Sequence, residues 1–296
     1  MDDQAAKLRL LANNLHKKIH SQVIDSTSGC QVLAVTSGKG GVGKTNIALG
    51  ISLALAKAKY RVVLWDADLG LANVDVVLGL VPKYNLYHVF KGEKTLQEIM
   101  IQGPEGLCII PGGSGIEELA NIEPFLLNKI LQDVALLDKK MDYLIIDTGA
   151  GISRQVIAVI LAASKILLVT TPEATALTDA YGLIKVLRGR LDGDIKLIIN
   201  MAKNKDESEA AAQKLVRVTR QFLNLKIDFV GWIPFDHTVQ DAIRNNQSYL
   251  LASPRSPAAL STLRIATSLG RIQKENTSGI QKFIGQVVSF LKGEQT

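Results

Sequence analysis

The chain has 296 residues, 34 Lys and Arg against 28 Asp and Glu, two Cys, and a formal charge of +6. That length suits one large α/β domain or two small ones, and with no run of 18 apolar residues nothing is expected to span a membrane. Cys30 and Cys108 form no C-x-x-C pair, and Met1-Asp2-Asp3 is acidic where a secretory signal is basic, so a reducing, cytoplasmic setting is expected.

In chain order, residues 1–20 read as a helix with Leu8, Leu11, Leu15 and Ile19 on one stripe, and residues 21–29 as a polar linker. Strands are predicted at 31–36, 61–66, 107–110, 142–147, 165–170, 195–200 and 227–233, with helices filling most of the gaps. This alternation, over a core spanning 30–272, predicts an α/β fold: a mostly parallel sheet with helices on both faces. Tyr143 to Ile146 and Ile166 to Val169 are apolar throughout, as strands covered on both faces are. Residues 273–279 read as a linker and 280–292 as a last helix. Excess basic residues in the second half, among them Lys185, Arg188, Arg190, Lys214, Arg217 and Arg220, suit nucleic acid, anionic lipid or an acidic protein and choose none of them.

Ser37 to Thr45 reads SGKGGVGKT and fits the phosphate-loop pattern G-x-x-x-x-G-K-S/T from Gly38 to Thr45. It follows an apolar strand and precedes a helical pattern, so backbone N–H groups of the turn converge on one anion. Gly40, Gly41 and Gly43 let the backbone approach phosphate, Lys44 serves the β- and γ-phosphates, and Thr45 offers a hydroxyl to Mg²⁺. Lys39 is a second lysine, beyond what such a loop needs. Two further strands end in carboxylates, Asp66 with Asp68 and then Asp147. Ligands of open parallel sheets bind at such strand ends, and the carboxylates suit holding Mg²⁺ and orienting a water, although a strand-end Asp is otherwise often a cap or turn residue.

These residues resemble a known family. Lys39 to Thr45 is similar to the deviant Walker A box of the MinD/ParA ATPases, Asp66 to Asp75 (DADLGLANVD) to their switch I, and Asp147 to Gly151 (DTGAG) to their switch II. The resemblance covers residues 30–270 and implies a SIMIBI-type P-loop fold, ATP/ADP and Mg²⁺ as cofactors, and slow hydrolysis coupled to an ATP-bound homodimer. It implies that Gly38, Lys39, Gly40, Gly41, Val42, Gly43, Lys44, Thr45 and Asn46 surround the phosphates, with Lys39 reaching those of the partner subunit's ATP. It further implies that Asp68 orients the attacking water, Asp147 holds Mg²⁺ through water, and Asp66 orders that shell beside Thr45. Gly149 and Gly151 match switch II glycines, Asn200 the adenine-reading Asn, and Pro234 and Asp236 the segment closing over the base. Physically, charge builds on a departing γ-phosphate, and a cation supplied in trans ties its stabilisation to dimerisation.

The last helix places Ile280, Phe283, Ile284, Val287, Val288 and Leu291 at i, i+3, i+4, i+7, i+8 and i+11. Such a stripe ordinarily packs on a core. Here it follows a polar linker and is similar to the membrane-targeting helix of MinD-like proteins, which implies reversible residence at an anionic membrane surface. Asp3 to Arg9 (DQAAKLR) resembles the D-Q-A-x-x-L-R motif of the FlhG family, also called FleN or YlxH. That resemblance implies control of flagellar number and placement, with the FlhF GTPase and the C-ring proteins FliM and FliN/FliY as partners. It implies that Asp3, Gln4, Leu8 and Arg9 serve FlhF activation, Gln4 entering the GTPase active site to position water while Leu8 and Arg9 dock the helix. Without the motif, the segment reads as an amphipathic helix on its own core.

Alternatives are a ParA-type DNA-partitioning ATPase, against which the apolar last helix argues, and a MinD-like regulator of the division site. A tyrosine kinase of related fold needs a tyrosine-rich tail, and the last tyrosine here is Tyr249. An iron–sulfur scaffold needs matched thiolates, whereas Cys30 and Cys108 read as packing residues. A passive ATP-binding module is the remaining alternative, and Asp68 argues for turnover.

Overall fold

The computed structural model describes residues 30–68, 73–113, 130, 132–134, 136–137, 140–190, 194–270 and 280–292. The expected helix over 1–20 and the linkers 21–29 and 273–279 lie outside the described residues.

The strands are β1 (Gln31–Thr36), β2 (Val62–Ala67), β3 (Ile101–Gln102), β4 (Cys108–Ile110), β5 (Tyr143–Thr148), β6 (Lys165–Thr170), β7 (Asp194–Ala202) and β8 (Ile227–Pro234). They form one sheet in the order β3-β4-β2-β5-β1-β6-β7-β8, parallel except for β3. The predicted strands are all present, each within two residues of its expected ends at the N-terminal side and C-terminal side alike. β3 was not expected: two residues, Ile101 and Gln102, carry no periodicity, and they pair antiparallel with β4 at the sheet edge.

Every residue of β1, β5 and β6 is buried, and the alternation of side chains divides them between two faces. Leu33, Val35, Ile145, Leu167 and Val169 face one layer, and Val32, Ala34, Leu144 and Ile146 face the other. The helices are α1 (Lys44–Lys57), α2 (Val74–Val77), α3 (Leu86–Phe90), α4 (Leu96–Ile99), α5 (Arg154–Ala162), α6 (Ala174–Leu187), α7 (Lys205–Leu223), α8 (His237–Arg244), α9 (Tyr249–Ala252), α10 (Pro257–Gly270) and α11 (Ile280–Lys292). On the first layer α1 is buried nearly all round, because it lies between the sheet and α10. Gly50 makes room there for the buried Tyr249 hydroxyl, bonded to Thr262 at 2.6 Å; a Cβ at Gly50 would meet that oxygen at 2.8 Å.

The last helix, α11, packs on the second layer with α5 and β1. Ile280, Phe283 and Val287 are fully buried, Ile284 and Leu291 nearly so, and Val288 is partly buried. The residues expected to contact a membrane are thus turned onto the protein's own sheet. An apolar stripe is satisfied by a core as well as by lipid, and the apolar face made by α5 and β1 offers that core.

Candidate functional site

β1 delivers the chain into the turn Ser37–Gly43, and α1 begins at Lys44. Gly43 ends the turn in a left-handed conformation (φ 86°) and makes no side-chain cap, so the first N–H groups of α1 stay open for an anion. Only glycine fits there, since a Cβ would also meet Asn200 Nδ2 at 2.4 Å. At the other end of the turn Gly38 lies against α6, where a Cβ would come within 2.3 Å of the Asp179 carbonyl.

β1, β5 and β2 lie side by side, and their register sets Asp147 level with Val35 and with Asp66. Lys44 Nζ donates to Asp147 Oδ1 at 2.7 Å, and both side chains are buried. Asp147 Oδ2 is buried with no partner among the described residues. Asp66 accepts backbone N–H groups from Asn73 at 2.8 Å, Val74 at 2.9 Å and Asp68 at 3.3 Å, so its carboxylate ties the start of α2 to the end of β2. Burial, and then the nearby Asp147, push the Asp66 carboxyl up to about 7. Burial also raises Asp68, with Lys44 opposing and Asp147 adding to the shift. Gly149 passes close to Asp68, and the Gly151 amide donates to Ser37 O at 3.0 Å, tying the Asp147–Gly151 segment to the phosphate loop.

The donor set fits Mg²⁺ with a phosphate chain. A buried carboxylate oxygen without a partner, a second buried carboxyl beside it, and the Thr45 hydroxyl in the first turn of α1 are oxygen donors of the kind Mg²⁺ takes, next to an anion cradle. Thr45 and Asn46 are half-buried on that first turn, and Val42 is buried beneath it.

Lys39 is directed to the start of α6, where its ammonium lies 3.3 Å from Glu173 Oε2 and 3.0 Å from Thr175 Oγ1. Both partners are substantially exposed, so this pairing holds it weakly. Neither Glu173 nor Thr175 was expected from sequence, since they lie far from the loop in the chain and gain meaning only when α6 crosses Gly38.

Beside the phosphate loop, Gly43, Asn46, Asn200, Pro234, Phe235 and Ile243 are among the residues lining a pocket. Asn200 is anchored at one end of its amide, Nδ2 donating to Val42 O at 2.8 Å, so it ties β7 to the loop as well as facing the pocket. Asp236 lines the pocket but spends its carboxylate elsewhere: it accepts from Thr238 at 2.8 and 3.0 Å and from Ala258 N at 3.2 Å. It therefore fixes the segment that carries Pro234 and Phe235 at the edge of the pocket. Met201, half-exposed at the pocket with φ 58°, was not anticipated; a non-glycine left-handed residue leaves no mark in composition.

Against protein families, residues 33–249 match the CobQ/CobB/MinD/ParA nucleotide binding domain. The chain belongs to that family. Among its relatives, the antiactivator FleN of Pseudomonas aeruginosa is 41% identical over 80% of this chain and 85% of its own. The flagellum site-determining protein YlxH of Helicobacter pylori is 33% identical over 98% of this chain and all of its own. Among solved structures, the septum site-determining protein MinD of Pyrococcus horikoshii, complexed with Mg-ADP, superposes with a TM-score of 0.69 at 26% identity, over 82% of this chain and 97% of that one. Within the MinD/ParA family this chain thus sides with the FlhG (FleN/YlxH) branch, whose YlxH member aligns from end to end.

Proposed function

We propose that this chain is a MinD-type ATPase of flagellar regulation that cycles between a monomer and an ATP-bound, membrane-associated dimer controlling flagellar number and placement. Its similarity to FleN and YlxH supports the flagellar setting. The observation that carries the catalytic reading is the buried Lys44–Asp147 pair beneath the open N-terminus of α1.

Mg²⁺-bound ATP would supply the phosphoanhydride and the negative charge that grows as it is cleaved. Lys44 exchanges Asp147 for the β- and γ-oxygens, and the N–H groups of Gly40 to Thr45 hold those phosphates. Asp147 and Thr45 would hold the metal, with Asp66 ordering its shell. Asp68 accepts a hydrogen bond from the attacking water and orients it. Lys39 releases Glu173 and Thr175 and neutralises charge across the interface of two subunits, which makes turnover depend on dimerisation. Asn200, with the Pro234–Asp236 segment, places the base.

The membrane step requires α11 to leave its own core, since its stripe is buried there. One short helix binds lipid weakly; two on a dimer add through effective concentration. The N-terminal residues Asp3, Gln4, Leu8 and Arg9 remain the proposed activators of FlhF, and FliM with FliN/FliY the proposed C-ring partners. Co-sedimentation with anionic vesicles tests the cycle: pelleting is expected with ATP, lost with ADP and lost on removal of the residues after Gly279. A ParA-like protein would instead retard DNA in an ATP-dependent, salt-sensitive way. A peptide of residues 1–23 is expected to stimulate purified FlhF, and Gln4→Ala to abolish that effect; no stimulation by the native peptide would remove the FlhF assignment.

A further inference from the structure

The far end of α11 is fastened to the helix that follows switch II. Arg154 donates from Nη2 to the Leu291 main-chain oxygen at 2.8 Å. Leu291 lies in the last turn of α11, where carbonyls lack partners within the helix and carry the negative end of its dipole. Arg154 is the first residue of α5, and Ser153 caps that helix by accepting from Val156 N at 3.3 Å. Two residues earlier, the Gly151 amide is bonded to Ser37 at the mouth of the phosphate loop. A short, continuous run of anchored backbone therefore joins the phosphate loop, switch II and the C-terminal turn of α11.

We infer that Arg154 is a positioning residue through which switch II controls whether α11 stays docked. The inference rests on the ATP-site reading above, and it deepens that reading by naming the contact that nucleotide would break. Ile280, Phe283, Ile284, Val287 and Leu291 are covered by the sheet in the docked form, so in water the contact to Arg154 adds to that burial and sets how often α11 opens. A charge-assisted hydrogen bond present only in the docked form then carries weight in the balance. Such a bond lapses when donor and acceptor move apart by about 1 Å. Gly151 (φ 91°) gives the segment a left-handed hinge point between Asp147 and Arg154. Closure of Asp147 to Gly151 on a γ-phosphate moves Ser153 and Arg154 with it, and the guanidinium leaves Leu291.

Hydrogen–deuterium exchange of the 280–292 amides in the full chain tests this without lipid. With ADP the native protein is expected to protect these amides, and Arg154→Ala to speed their exchange about 10-fold or more, the scale of one hydrogen bond to a charged group. Arg154→Lys, whose ammonium reaches the same carbonyl, is expected to keep most of the protection. With ATP, and hydrolysis blocked by Asp68→Ala, native Arg154 should exchange as fast as the alanine variant does with ADP. Unchanged exchange in Arg154→Ala, or equal protection with ADP and ATP, would overturn the inference. Release of α11 by ATP without pelleting on anionic vesicles would uphold the latch and sink the membrane reading instead.

Discussion

At the scale of residues, the site is a small set of paired charges, Lys44 with Asp147 and Lys39 with Glu173, which in the proposed cycle exchange partners on nucleotide binding. Lys44 and Asp147 satisfy each other in a buried pair, so removing either leaves a charge stranded. Lys44→Ala is expected to abolish ATP binding by calorimetry and to cost about 3–5 kcal/mol in urea unfolding. Binding that survives the substitution would contradict the assignment. Asp66 gives a dependence on pH. It holds its proton up to about 7 in the folded chain, against an ordinary value of 3.8. Between those values the folded state binds more protons than the unfolded one. The Asp66 contribution to stability therefore falls as pH rises from about 4 to about 7 and stays lost above that. Mg²⁺ beside Asp66 and Asp147 favours the ionised form, so binding it below pH 7 requires proton loss. The thermal stabilisation by Mg-ADP should accordingly be larger at pH 8 than at pH 6; a gain independent of pH would refute this account of Asp66.

At the scale of elements, the phosphate loop is shaped by the helices packed against it. α6 crosses the loop at Gly38 so closely that its Asp179 carbonyl occupies the space of a side chain. Gly38→Ala should push α6 and the loop apart, at about 1–3 kcal/mol by thermal unfolding, with weakened nucleotide binding. A neutral effect would mean that the loop is free of α6. These contacts explain what the sequence could and could not reveal. The strand, turn and helix of the loop were readable because their pattern is local, and β1, β5 and β6 because strands buried on both faces carry unbroken apolar runs at their centres, such as Val32–Val35, Tyr143–Ile146 and Ile166–Val169. Lys39 was readable as one lysine too many, but not its bonds to Glu173 and Thr175, which depend on where α6 lies. Asp236 was recognised by position while its use as a cap was hidden, since capping and ligand binding draw on the same residue type.

At the scale of the molecule, α11 shows how far an amphipathic pattern reaches. Its stripe was plain in the sequence, yet lipid and core demand the same spacing, and only the fold reveals that this face is covered by α5 and β1. Removing the residues after Gly279 should therefore do more than stop membrane binding. It uncovers one layer of the sheet and is expected to cost on the order of 3 kcal/mol, net of the entropy of ordering the helix, with increased binding of an apolar dye. A truncated protein as stable as the full chain would mean that α11 is not part of this core in solution.

The central claim is that ATP is coupled to assembly through Lys39, a residue the phosphate loop does not need for its own nucleotide. Sedimentation velocity of the native chain and of Lys39→Ala, each with Mg-ATP or Mg-ADP, tests it most directly. The account predicts dimers only for the native chain with ATP, and monomers for Lys39→Ala although it still binds ATP. Dimers of Lys39→Ala with ATP, or native monomers in both nucleotides, would contradict it.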